Sequence, residues 1–116
     1  MKRSLVILLL LIVAGCSEWA EMEAKAEEER LARIERTKER RAMLKDGRIR
    51  IGMSHREFAR LWERPHHTWI DRSTSRYGIT EWWWFDYDCE PTRPGSLGSR
   101  YAFCFENGIL DYWAEN

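Results

Sequence analysis

The chain has 116 residues, with 19 basic and 19 acidic side chains and a formal net charge of zero. That length allows one small domain plus a tether. The balance of charge excludes any general electrostatic reason to bind nucleic acid, and no internal repeat is present.

Lys2 and Arg3 form a short basic start, Leu5 to Ala14 is an unbroken apolar run, and Gly15-Cys16 closes it with small residues. An apolar run of ten residues, at ~1.5 Å each, falls short of a ~30 Å hydrocarbon core. The layout is that of a secretory signal peptide over residues 1–15. The ending Val13-Ala14-Gly15-Cys16 resembles the lipobox of bacterial lipoproteins. The resemblance implies cleavage before Cys16 and lipid on its thiol. One acyl chain binds a membrane only marginally, whereas two or more hold stably, and the lipoproteins it resembles carry three. Ser17 follows the cysteine, where the enterobacterial pattern uses aspartate for inner-membrane retention. The expected address is therefore the outer membrane, lipid-anchored and facing the periplasm. Loss of Lys2 and Arg3 with the leader leaves 17 basic and 19 acidic side chains, a formal net charge of −2.

Residues 16–46 read as the lipidated Cys16 followed by a charged helical tether. Ser17 to Lys45 is rich in Ala, Glu, Lys and Arg and has no Gly or Pro, a strong helix-forming composition. Acidic residues cluster early (Glu18 to Glu29) and basic ones late (Arg36 to Lys45), which complements the helix macrodipole. Asp46-Gly47 supplies the stop, with Gly47 suited to a left-handed C-cap. Trp19, Met22, Leu31, Ile34, Met43 and Leu44 make no sustained heptad, so a coiled coil is not supported. Only Met43 and Leu44 look ready to dock on a domain; the basic stretch Arg30–Arg41 reads as a solvated face.

Residues 47–116 hold 14 of the 15 aromatic residues and are expected to form the folded α+β domain. Ser54-His55-Arg56-Glu57 fits a capping box. The short helix after it presents Phe58, Leu61 and Trp62 on one side and is stopped by Pro65. His66 to Tyr77 reads as a polar connection. Strand one is expected over residues 79–87, strand two over 100–106 and strand three over 109–113, each rich in aromatic and β-branched residues. Pro94-Gly95 and Gly98 mark the first turn region, and Asn107-Gly108 is a strong hairpin signal. The pattern predicts a three-stranded antiparallel sheet with helices covering one face.

Strand side chains alternate between faces. Trp83, Phe85 and Tyr87 share one side with Tyr101, Phe103 and Phe105, and are expected to form the core under Phe58, Leu61 and Trp62. Trp82 and Trp84 lie on the other side, which helices on one face leave open. Exposed apolar patches mark interaction sites, and tryptophan is favoured at binding hot spots. Trp82, Trp84 and Tyr112 are the candidate partner-binding residues. The alternative is that the long helix or a loop folds over them.

Ile49-Arg50-Ile51-Gly52-Met53-Ser54 before a short helix and a proline, Tyr77-Gly78-Ile79-Thr80-Glu81 before a tryptophan-rich strand, and Tyr101 to Gly108 with its terminal hairpin together resemble the SmpA/OmlA family. This is the BamE-like group of small outer-membrane lipoproteins. The resemblance covers residues 49–113. It implies a two-layer ααβββ unit and a protein-binding or scaffolding role, with accessory work in outer-membrane β-barrel assembly as the leading setting. A related architecture serves as an inhibitor of β-lactamases, so an inhibitor of a periplasmic enzyme is the competing function. Neither implies chemistry or a cofactor.

The residues agree. His55, His66 and His67 have no metal-ligand spacing, and adjacent histidines are expected to point apart. Asp86, Asp88 and Glu90 lack the glycine and spacing of a calcium loop. Ser54 has no nucleophile-elbow context. No catalytic, metal or cofactor residue is expected. Cys89 and Cys104 remain a candidate disulfide: the compartment favours it, whereas the hairpin register sets Cys89 several residues from Cys104.

Overall fold

The computed structural model describes the backbone of residues 2–116 and the side chains of residues 17–116. Two compact units divide it, one ending at Ile34 and the other running Glu35–Asn116. Helix α1 (Lys2–Asp46) contributes to both. In the first unit Trp19, Met22, Leu31 and Ile34 are all exposed. Local pairs support the helix there: Trp19 Nε1 donates to Glu23 at 2.6 Å and Arg30 pairs with Glu27 at 2.7 Å. Among the described residues no helix is long and apolar enough to cross a membrane.

The second unit begins with the last turns of α1. The helix ends at Asp46 because Gly47 adopts a φ of +81°, and the Ile49 amide turns back to the Met43 carbonyl at 3.1 Å. Helix α2 (His55–Leu61) starts at Ser54, whose Oγ accepts from the Glu57 amide at 3.1 Å. The Glu57 carboxylate faces Arg50 at 3.9 Å. A 3-10 turn (His67–Trp69) leads into four antiparallel strands: β1 (Asp71–Ser75), β2 (Gly78–Asp86), β3 (Ser99–Glu106) and β4 (Ile109–Glu115), paired in chain order.

The sheet thus has one strand more than the sequence suggests. Every side chain of β1 is exposed, so no apolar alternation announces it. It is held by backbone pairing from Asp71↔Trp82 to Ser75↔Gly78 and by an Arg72–Glu81 ion pair at 2.9 Å. The Asn107-Gly108 hairpin forms as expected, with both residues at positive φ. Asn107 also accepts from the Ile79 amide at 2.9 Å and lies so close to Gly78 that a Cβ there would sit 2.0 Å from its Oδ1. The stretch before α2 lies along β4: Gly52 donates to the Leu110 carbonyl, Leu110 to Met53, and His55 to Gly108, at 2.7–2.8 Å.

Phe58 sits at the centre of the core, with ring centroids 4.7 Å from Phe103, 5.4 Å from Phe105 and 5.5 Å from Trp83. Trp62 stacks on it at 5.6 Å. Met43 is buried and Leu44 packs against the same cluster. Two expected core residues are not there. Leu61 is 38% exposed, because the chain leaves the helix at Trp62 and that ring takes the inner position. Tyr87 is 58% exposed, because the register shift between Phe85 and Asp86 ends the alternation.

The end of α1 is tied to the loop after β2 more firmly than its charge suggests. Arg40 is 5% exposed and donates to the carbonyls of Cys89 and Trp62, each at 2.7 Å. Thr37 Oγ1 donates to the Asp88 carbonyl at 2.8 Å, Arg41 to the Tyr87 carbonyl at 2.6 Å, and Arg36 pairs with Glu90.

Candidate protein-binding face

The face of the sheet opposite Phe58 is built by three neighbouring strands. Trp82 on β2, Cys104 on β3 and Tyr112 on β4 stand in one cross-strand row; Trp84, Ala102 and Ala114 form the next. Small residues in the middle strand let the aromatic rings of the outer two approach. Trp82 and Trp84 stack at 5.9 Å and 25°, and Tyr112 meets Trp82 edge-on at 6.3 Å. The two tryptophans are half-buried, and Tyr112 is 53% exposed.

Strict alternation would put Leu110 and Tyr112 on the same side. The register shift between Cys104 and Phe105 separates them: Leu110 pairs with Phe105 in the core and Tyr112 pairs with Cys104 on the open face. A bulge of this kind re-aims side chains locally.

Cys104 is buried in this face and Cys89 in the core cluster on the other. Both are free thiols, which removes the candidate disulfide. The observed register pairs Cys104 with Trp82, while Cys89 lies beyond the end of β2 in a tight loop at φ +61°. Burial, reinforced by Glu106 and Asp111, pushes the Cys104 thiol up to about 11, so near neutral pH it is an uncharged packing group rather than a nucleophile. Burial also raises the Cys89 thiol, against the opposing pull of Arg41 and Arg40.

The remaining polar candidates are structural. Asp86 Oδ1 accepts from the amides of Asp88 and Glu90 at 2.9 and 3.0 Å, fixing the loop. Glu90 pairs with Arg36. His55 Nδ1 lies 3.0 Å from the Gly108 carbonyl. His66 and His67 do not point apart; their ring centroids are 4.3 Å from each other, and His66 Nδ1 bonds Thr68 Oγ1 at 2.8 Å. Among the described residues no group of three or more His, Cys, Asp or Glu is placed to hold a metal ion. The Cys16 side chain lies outside the described residues. The sequence reading missed Arg40. The signal was there: Thr37, Arg40 and Met43, the buried positions of this stretch, repeat every three residues along one face of the helix, but two of the three are polar. No family model, no curated protein and no solved structure matches this chain.

Proposed function

We propose that this chain is a lipid-anchored protein of the cell envelope that binds or scaffolds another protein through Trp82, Trp84 and Tyr112. The observation that carries the reading is the aromatic cluster on the sheet face opposite α2, with Tyr112 projecting from it. Tryptophan and tyrosine are the side chains that most often dominate binding energy. The signal-like leader and lipobox support an outer-membrane anchor through Cys16, facing the periplasm. The resemblance to SmpA/OmlA lipoproteins supports a non-enzymatic role beside barrel assembly.

Affinity purification from detergent-solubilised envelopes tests this, with the wild-type chain and a Trp82→Ala/Tyr112→Ala variant side by side. Barrel-assembly subunits should be recovered by the wild type and lost by the variant. Recovery of a soluble hydrolase would replace the scaffold by an inhibitor. Equal recovery by the two proteins would remove the aromatic face from the mechanism.

A further inference from the structure

On the other side of the sheet, a cleft of about 300 Å³ opens between the last turn of α1 and the far ends of β3 and β4. Its size is at the small end of ligand pockets. Leu44, Tyr101 and Trp113 contribute apolar surface. Trp113 stacks on Phe103 at 6.0 Å, which fixes its ring on the helix-facing side of the sheet, away from Trp82 and Tyr112.

The charge of the cleft is lopsided. Arg41, Lys45 and Arg100 line it against a single carboxylate, Glu115. Arg41 is held in place by its bond to the Tyr87 carbonyl and by the Tyr87 ring, 4.4 Å from its guanidinium. Arg100 is held by Glu115 at 3.1 Å and stands 5.3 Å from the same ring. Its Nε is nevertheless buried with no hydrogen-bond partner among the described residues. Lys45 is exposed and makes no ion pair among the described residues. Two guanidinium groups are therefore pre-positioned, so little side-chain entropy is lost when an anion arrives, and one ammonium is uncommitted.

We propose that this cleft binds a small aromatic monocarboxylate, with the carboxylate beside Lys45 and Arg100 and the ring against Leu44, Tyr101 and Trp113. The apolar surface calls for a ring as well as a charge. Glu115 neutralises part of the positive field and repels a second negative charge, which disfavours dianions such as phosphate. Charged partners strengthen each hydrogen bond they make. This site is independent of the protein-binding face.

The test is calorimetric titration of the full chain in non-ionic detergent with 3-phenylpropionate, with 3-phenylpropan-1-ol and inorganic phosphate as comparators. One saturable site for the acid is expected, at least five-fold tighter than for the alcohol or phosphate. Lys45→Ala should weaken it five-fold or more with a thermal melt within a few degrees of wild type, because Lys45 is exposed and unpaired and contributes only to the helix end. Tyr112→Ala should leave it unchanged. Absence of saturable binding would overturn the proposal. So would an equal affinity for the alcohol, tighter binding of phosphate, or indifference to Lys45→Ala.

Discussion

Replacing Arg40 by alanine should be among the most damaging single changes in the domain. The side chain is almost fully buried, and its two terminal nitrogens each serve a backbone carbonyl. The Cys89 carbonyl would keep one donor, the Trp62 indole at 3.0 Å. The Trp62 carbonyl, at the C-terminal end of α2, would lose the donor that Arg40 supplies. Hydrogen bonds from a charged donor contribute about 1.5–3 kcal/mol each, so losing both costs about 3–6 kcal/mol. Each kcal/mol shifts Tm by roughly 4–8 °C in a domain of this size, so Arg40→Ala should melt at least ~12 °C below wild type. Arg40→Met should fare little better: it restores volume, but a thioether donates nothing to the two carbonyls. Arg36→Ala is the internal comparison. Arg36 is exposed and its partner Glu90 is only half-buried, so the pair should contribute less than the Arg40 clamp, on the order of 1 kcal/mol. Circular-dichroism melts of the three variants decide the matter. An Arg40→Ala protein melting within ~5 °C of wild type, or an Arg36→Ala protein equally destabilised, would refute the buried-clamp reasoning.

Trp83→Ala empties the middle of the core and should cost about 3–5 kcal/mol, unfolding much of the population. Trp82→Ala on the opposite face should shift the melt by only a few degrees while reducing partner capture; equal melts for the two would show that both faces are structural. Alkaline pH should loosen the fold in part through Cys104. Its folded pKa, pushed up to about 11, exceeds the ordinary thiol value of about 8.5, so its contribution is complete below that value and is lost as pH rises through the folded one. Cys104→Ala should therefore flatten the stability curve above roughly pH 8.5, and an unchanged slope would exclude the thiol as a source. Cys16→Ser should release an exported chain from the membrane fraction; continued labelling with palmitate would sink the lipobox reading.

Most of the domain was legible because its signals were local or periodic. Ser54 and Glu57 announce α2, Asp46-Gly47 ends α1, and Asn107-Gly108 closes the last hairpin. Trp83, Phe85, Phe103 and Phe105 declare the core face by alternation, and all four are fully buried. What escaped was whatever had no apolar signature. Strand β1 is polar along its whole length and exists through backbone pairing. The docking stripe of α1 is Thr37, Arg40 and Met43, and its two polar members bond carbonyls on a loop some fifty residues away. Pairing of Gly52 and Met53 with Leu110 is likewise a backbone matter, invisible to side-chain pattern.

The two register shifts decide where the surfaces lie. Alternation continued past Phe85 would return Tyr87 to the core. Instead the shift at Phe85/Asp86 delivers its ring to Arg41 and Arg100, at the edge of the cationic cleft. Alternation continued along β4 would set Tyr112 beside Leu110. Instead the shift at Cys104/Phe105 sets it against Trp82. Each departure costs the sheet a regular pairing and leaves an aromatic ring outside the core. Rings placed outside the core at bulges are poor value for stability and well placed for contact with something else. The sheet's two faces thus divide the work: the buried alternating set holds the domain together, and each bulge adds one displaced ring to a candidate binding surface, Tyr112 beside Trp82 and Tyr87 at the edge of the cleft.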